Sequence, residues 1–477
     1  MNGNAKHATV IGPFDKSTPS VIFAFVDRGI LAISRTASQP FAAALVLPRT
    51  SMTATSVSRV GPPAEQAAAE LPESRRGKDP GPIKILHIIN DLGIGGAEMM
   101  LYRLLCHHSR ERFDSAVLSL MDRGSLRARI EGLGIPVYTA GMKPGLPTPA
   151  SIWRLLRIVR QIRPDLIRGW LYHGNLAAQL TGMAIGSKTP VLWSIHCSVF
   201  TLSFDKKLTT AVMRLSAPIS RLATSISFDS QTSRAQHQKL GYSARNSCFI
   251  PNGIDTSIFV PSAAARVAVR AELGLPPEAL LIGVIGRYHA MKDHATFLRA
   301  AGQITATYPN AQFLLAGREV DRENRALSDL IRELKLADRV HLLGERTDIA
   351  RLVAALDVFA LSSSHGESFP TIVGEAMSSG VPCVVTNVGD SAWMVKDSGR
   401  VVPPRDVAAL ASACGELINI GPEGRASLGR AARSRVQGLF SLASVVEKYE
   451  AMYESAVAPN TVATRNSKLA YQSFSGE

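Results

Sequence analysis

The sequence predicts an α/β protein of two Rossmann-like, doubly wound domains facing a central cleft. Three observations carry this. The chain has 477 residues, too many for one ordinary core. Short apolar runs alternate with helical stretches in two successive series, 83–228 and 280–402. The composition, 46% hydrophobic and 19% charged, suits a globular chain with large buried sheets.

Residues 1–82 stand apart. They are rich in Ala, Ser, Thr and Pro, show no sustained period, and are read as a disordered leader, with Met52 as a candidate later start. The first domain is assigned to 83–255. It opens on Ile83-Lys84-Ile85-Leu86-His87-Ile88-Ile89, a run of the kind a parallel strand buried on both faces requires. A glycine-rich loop, 90–96, and a helix from about Ala97 follow. Further strands are expected at 116–120, 136–138, 166–170, 191–195 and 225–228. The second domain is assigned to 256–440, with strands at 280–285, 312–316, 340–343, 358–361, 382–386 and 400–402. A closing helix, 441–457, and a polar tail, 458–477, complete the chain. In such a pair of domains, ligands bind at the carboxyl ends of the strands.

Lys and Arg number 53 against 39 acids, a net charge of +14, which favours an anionic partner: a nucleotide, a phosphate-bearing lipid, a membrane face or a nucleic acid. Five cysteines, Cys106, Cys197, Cys248, Cys383 and Cys414, form no C-x-x-C pair and suit a reducing cytosol. No uninterrupted apolar run reaches the length of a membrane span, since 21–33 is broken by Asp27 and Arg28.

Three loops carry the chemistry. In Ser362-Ser363-Ser364-His365-Gly366-Glu367-Ser368-Phe369-Pro370-Thr371-Ile372-Val373-Gly374-Glu375, a strand leads through a loop into a helix near Pro370. The N–H groups of Thr371 and Ile372, backed by the helix dipole, form a site for a pyrophosphate. Glu367 and Glu375 flank it and can accept bonds from sugar hydroxyls, or they are simply two solvent-facing glutamates at a helix start. In Gly286-Arg287-Tyr288-His289-Ala290-Met291-Lys292-Asp293, the cations of Arg287 and Lys292 can embrace a departing diphosphate, while Asp293 reads as a helix cap. In Asn90-Asp91-Leu92-Gly93-Ile94-Gly95-Gly96-Ala97-Glu98, glycines let the backbone approach a ligand, although the third glycine of the dinucleotide fingerprint is missing. His196 and His173 fall just beyond strand ends, on the cleft side. There is no Asp-x-Asp, no P-loop and no zinc motif, so neither a metal site nor a cofactor is expected.

Together these stretches resemble the retaining glycosyltransferases of family four, the glycosyl transferases group 1, which have the two-domain GT-B fold. The resemblance covers about 83–457 and rests on Gly95-Gly96-Ala97-Glu98, Ile250-Pro251-Asn252-Gly253-Ile254-Asp255, Gly286-Arg287 with Lys292-Asp293-His294, and Glu367 with Glu375. It implies that Gly95, Gly96, Gly286, Phe369, Thr371 and Ile372 line the donor site. It also implies that Arg287 and Lys292 hold the diphosphate, Glu375 the ribose and Glu367 the transferred sugar. His196 then stands at the reaction centre and His173 on the acceptor side. Family members often carry glycine where this chain has Ser368 and Pro370.

The expected partners are a UDP- or GDP-sugar donor and a glycan or lipid-linked acceptor, in cell-surface polysaccharide or glycolipid synthesis. The expected location is cytoplasmic, on the inner face of a membrane. The helix spanning 151–163 carries Arg154, Arg157, Arg160 and Arg163 beside Trp153, with Lys206, Lys207, Arg214 and Arg221 in the same domain, and can rest on an anionic membrane surface. The same pattern also fits an ordinary crossover helix with arginines in water. Three rivals are a nucleotide-sugar epimerase of the same fold, a nicotinamide-dependent dehydrogenase and a basic nucleic-acid binder. The dehydrogenase lacks its glycine fingerprint. The nucleic-acid binder leaves both phosphate-site loops unexplained and has only 6% aromatic residues for stacking, so no nucleic-acid partner is expected.

Overall fold

The computed structural model describes residues 81–458, apart from 145–146, 187 and 200–206, together with two short strands near the start. Those strands, β1 (Phe23–Val26) and β2 (Gly29–Ala32), pair antiparallel, with Phe23 opposite Ala32. They belong to a compact unit, Met1–Arg76, separate from Gly77–Glu477. The sequence gives this stretch no regular element, so the hairpin is a departure. The remainder of the leader and most of the polar tail, 459–477, lie outside the described residues.

The first sheet has seven parallel strands: β3 (Ile83–Ile89), β4 (Phe113–Ser119), β5 (Val137–Thr139), β6 (Leu166–Trp170), β7 (Val191–Ile195), β8 (Ser225–Phe228) and β9 (Ser247–Phe249). Their spatial order is β5-β4-β3-β6-β7-β8-β9. Every residue of β6 and β7 is buried, and both strands are apolar apart from Arg168 and Ser194, which are hydrogen-bonded to each other. Strand order reverses between β3 and β6, so the crevice opens above these two, beside the glycine-rich loop after β3 and the helix Leu171–Ala184 after β6.

The second sheet repeats the plan with β10 (Leu280–Ile285), β11 (Ala311–Ala316), β12 (Val340–Leu342), β13 (Val358–Leu361), β14 (Cys383–Thr386) and β15 (Gly399–Val402), in the order β12-β11-β10-β13-β14-β15. Its reversal lies between β10 and β13. Both loops expected to carry chemistry in this domain, 286–293 and 362–370, therefore leave the sheet at its switch point.

The last helix, Leu442–Val457, returns to the first domain. Tyr453 accepts a hydrogen bond from the buried Arg168 at 2.6 Å, and Glu450 accepts from the Ser109 backbone at 2.7 Å. Arg112 pairs with both Glu450 and Glu454. The crossover is stitched by Ile254 N to Phe440 O, 3.0 Å, and Leu442 N to Ile254 O, 2.7 Å.

Candidate active site

The loop after β10 is built around a short 3-10 turn, Ala290–Lys292, followed by Asp293, whose side chain caps the helix His294–Thr307 by accepting from Thr296 N. Asp293 is thus a structural cap. The loop after β13 is braced against that turn. Ser362 Oγ donates to Lys292 O at 2.8 Å, and Ser364 N donates to Met291 O at 2.8 Å. The bracing brings Lys292 Nζ within 2.6 Å of Glu367 Oε1, which also accepts from Ser363 Oγ at 2.6 Å. Gly286 lies under the Lys292 stem, where an added Cβ would meet Cε at 3.3 Å. Arg287 is exposed and has no partner among the described residues. Gly389 holds the other side of the Glu367 loop. Its φ is +59°, and a Cβ there would lie 2.5 Å from Glu367 O and 2.6 Å from Ser368 O, so only glycine lets the two backbones approach.

The helix Thr371–Ser378 follows directly on Pro370, which is its N-cap rather than part of the first turn. The N–H groups of Thr371 and Ile372 have no acceptor among the described residues, as the first turn of a helix leaves them. Phe369 is buried edge-to-face on Phe440, ring centroids 5.5 Å apart, so its ring anchors the loop in the core and does not face the cleft. Glu375 sits one turn into the helix. Burial pushes its carboxyl up, against the pull of Arg103, which donates to it at 3.1 Å from the first domain. Arg103 also reaches Gly253 O at 3.3 Å.

On the opposite wall, Gly95 caps the helix Gly96–His107, and an added Cβ would strike Glu98 Oε2 at 2.3 Å. Gly96 meets no such constraint. His173 lies in the first turn of the helix Leu171–Ala184, half-buried, with desolvation lowering its pKa. The His196 side chain is 1% exposed and stacks on Trp170 at 5.2 Å. Its Nε2 lies 2.7 Å from Ser194 Oγ and its Nδ1 3.0 Å from Asn252 Oδ1. Burial, and then the charge of Arg168, lower its pKa to about 3, so the ring is neutral. In this arrangement both ring nitrogens are occupied by protein.

Three polar residues that the sequence reading passed over join the domains here. Asp229, just past β8, accepts from Ser368 Oγ at 2.5 Å and from Asn252 Nδ2 at 3.3 Å. Burial raises its pKa to about 7. Asp390, from the second domain, caps the helix Gln231–Lys239 of the first, accepting from Ser230 Oγ, Gln231 N and Thr232 N at 2.7–3.0 Å. Arg103, through Glu375, is the third. Each contact pairs residues distant in sequence, and the one local signal was the aspartate directly before Ser230. Among the described residues no group of three or more His, Cys, Asp or Glu could hold a metal ion.

The arrangement offers a cation and a carboxylate in contact, a free arginine, and unpaired N–H groups at a helix start, all at one switch point. That combination can hold a phosphate-linked polar ligand and stabilise charge on it as it departs.

Residues 94–258 match the family model "Glycosyltransferase Family 4", and 279–419 match "Glycosyl transferases group 1". The chain is 33% identical over 215 residues to a D-inositol 3-phosphate glycosyltransferase of Mycolicibacterium gilvum, covering 43% of this chain and 46% of that protein. It is 32% identical over 146 residues to a putative glycosyltransferase, EpsF, of Bacillus subtilis, covering 29% and 35% respectively. It thus spans less than half the length of these curated relatives. In fold it is similar to HepE of Anabaena in complex with UDP, with a TM-score of 0.69 and 23% identity over 78% of this chain and all of that one. It is similar also to sucrose-phosphate synthase of Thermosynechococcus elongatus, with a TM-score of 0.63 and 20% identity over 78% of this chain and 98% of that one. With one glycosyltransferase model matched in each domain and the GT-B fold shared across both, the chain belongs to the family-four, group 1 glycosyltransferases.

Proposed function

We propose that this glycosyltransferase is a retaining, metal-independent hexosyltransferase that moves a sugar from a UDP- or GDP-sugar to a glycan or lipid-linked acceptor in cell-surface polysaccharide or glycolipid synthesis. The observation that carries the reading is the Lys292–Glu367 contact, 2.6 Å, beside the open N-terminus of the helix Thr371–Ser378. HepE bound to UDP-glucose, a protein of the same fold, supports a nucleotide-sugar donor. In this reading the diphosphate lies against Thr371 N–H, Ile372 N–H, Arg287 and Lys292, with the ribose on Glu375. As the bond from the anomeric carbon to the phosphate oxygen breaks, Arg287 and Lys292 balance the charge left on the diphosphate. The acceptor oxygen bonds to the anomeric carbon on the same face, and its proton passes to the departing phosphate oxygen. Glu367 orients the sugar and offsets positive charge at that carbon. His196 backs the reaction centre, its ring nitrogens held by Ser194 and Asn252, His173 stands on the acceptor side, and Gly95, Gly96 and Gly286 admit the donor. Phe369 contributes through its backbone.

Thermal shift with UDP, GDP and ADP tests donor recognition. A nucleotide at about 100 times its Kd should stabilise the fold by about 2.7 kcal/mol. Glu375→Ala should remove most of that shift, since a charged acceptor is worth about 1.5–3 kcal/mol. Stabilisation by none of the three, or an undiminished shift in Glu375→Ala, would contradict the assignment.

The acceptor proposal has its own support. The helix Pro149–Ile162 exposes Ile152 and Trp153, the latter 61% exposed, with Arg154, Arg157 and Arg160 along its outer side and Arg163 just beyond. The adjacent helices add the exposed Leu180, Met183 and Leu215, with Lys207 and Arg214. Lys206 lies outside the described residues. No described helix is long and apolar enough to cross a membrane. A basic face with exposed tryptophan and leucine suits reversible contact with an anionic bilayer on its cytoplasmic side, where a lipid-linked acceptor would lie.

A further inference from the structure

A continuous chain of hydrogen bonds joins the returning C-terminal helix to the loop that carries Glu367. Arg168 donates from Nη1 to Tyr453 at 2.6 Å and from Nη2 to Ser194 Oγ at 3.0 Å. Ser194 Oγ lies 2.7 Å from His196 Nε2, and His196 Nδ1 lies 3.0 Å from Asn252 Oδ1. Asn252 Nδ2 donates to Asp229 Oδ2, and Ser368 Oγ donates to Asp229 Oδ1.

The direction of every link follows from donor chemistry. A guanidinium only donates, so Ser194 meets Arg168 with one lone pair and keeps both a proton and a second lone pair for Nε2; the ionised Asp229, which only accepts, decides between them by taking the Asn252 N–H. The ring of His196, neutral because it is buried, then carries its proton on Nδ1 and gives it to Asn252 Oδ1. That turns the Asn252 amide nitrogen toward Asp229, which accepts on both oxygens. Reversing the Asn252 amide would set an N–H against Nδ1–H and an oxygen against a carboxylate. Asp229 is therefore the group at the far end that makes one amide orientation, and one histidine tautomer, the stable one. The same carboxylate also seats Ser368, the immediate neighbour of Glu367.

We propose that Asp229 is a positioning residue: it fixes the Asn252 amide and, through it, the Nδ1–H tautomer of His196, while tying the Glu367 loop to the first domain. This rests on the reading of His196 and Glu367 as parts of the transfer site.

The test uses the full chain with selectively 15N-labelled histidine. In the wild type, His196 should show the Nδ1–H pattern above about pH 7, where Asp229 is ionised. Asp229→Ala should mix or invert it and lower kcat by about tenfold or more, with donor KM changed less than about threefold. Asp229→Asn keeps an acceptor for Asn252 and should preserve the tautomer and most of kcat. If the alanine variant fails to fold, Asp229→Ser takes its place and should give the same change. A wild-type His196 pattern in the alanine or serine variant would overturn the proposal, as would an asparagine variant as slow as alanine. Should His196→Ala turn over like the wild type, the catalytic reading fails, yet the nitrogen signals still decide what Asp229 does.

Discussion

Removing the Lys292 ammonium should affect stability and chemistry by separable amounts. Glu367 is nearly buried and accepts from two donors at 2.6 Å, Lys292 Nζ and Ser363 Oγ. Lys292→Ala leaves the carboxylate with the serine alone. The loss of one charge-assisted bond to a mostly buried group costs about 1.5–3 kcal/mol. At about 2–4 °C per kcal/mol in a domain of 150–250 residues, the melting temperature should fall by several degrees and the fold should survive. Turnover should fall much further, by about 100-fold or more, because the same ammonium would balance charge that appears only as the diphosphate leaves. The assay is the initial rate of nucleoside diphosphate release at 25 °C, well below unfolding, with donor concentration varied. A loss confined to kcat marks a contact made in the transition state, whereas a raised KM with kcat intact marks uniform binding. Retention of more than a tenth of wild-type kcat, or a change in KM alone, would refute the role of Lys292. Glu367→Gln should also lower kcat, with a smaller loss of stability.

Three other outcomes follow from the same geometry. Gly389→Ala should cost about 1–3 kcal/mol, from a left-handed residue that also strikes Glu367 O and Ser368 O, and should depress turnover by shifting that loop; a melting temperature and kcat both equal to the wild type would contradict the close approach. Stability should decline as pH falls from 6.5 toward 4. Burial holds His237 and His294 neutral down to about 4 and His196 to about 3, while each binds a proton near 6.5 when unfolded. Each histidine therefore loses about 2 kcal/mol of its contribution by pH 5, partly offset by Asp229, whose raised pKa adds stability as pH falls below about 7. Thermal unfolding across this range in His294→Phe should show a shallower decline, and an unchanged slope would refute the linkage. Sedimentation with vesicles should show binding to anionic lipid at low salt that weakens at high salt; equal binding to neutral vesicles would remove the basic face from the account.

Much of the fold was legible because parallel strands buried on both faces are mostly apolar. Leu166–Trp170, Val191–Ile195, Ser225–Phe228, Leu280–Ile285 and Val358–Leu361 fall where the apolar runs place them. The strand Ser247–Phe249 was missed because three residues of mixed polarity carry no period. The start of Phe113–Ser119 was missed because Asp114, exposed at the sheet end, breaks the run. The two loops of the second domain were legible because polar residues and glycine follow each strand directly. The partnership of Lys292 with Glu367 was not, since 75 residues separate them. Arg103, Asp229 and Asp390 act across the domain boundary, on partners more than a hundred residues away, and no local pattern marks such contacts. His196 stood out by its strand-end position, but its burial and doubly occupied ring depend on Trp170 and Asn252 arriving from two other places in the chain, beside Ser194 on the strand that His196 follows.

The most direct test is incubation of the full chain with UDP- and GDP-sugars, with and without a lipid-linked or glycan acceptor, in the presence of EDTA. Nucleoside diphosphate release and the anomeric configuration of the product are then measured. The account predicts release that depends on acceptor, persists in EDTA, is lost in Lys292→Ala, and yields a linkage with the donor's own anomeric configuration. Free nucleotide released without acceptor would identify an epimerase, and an inverted linkage, or activity restored only by Mg²⁺ or Mn²⁺, would contradict the proposal of a retaining, metal-independent reaction.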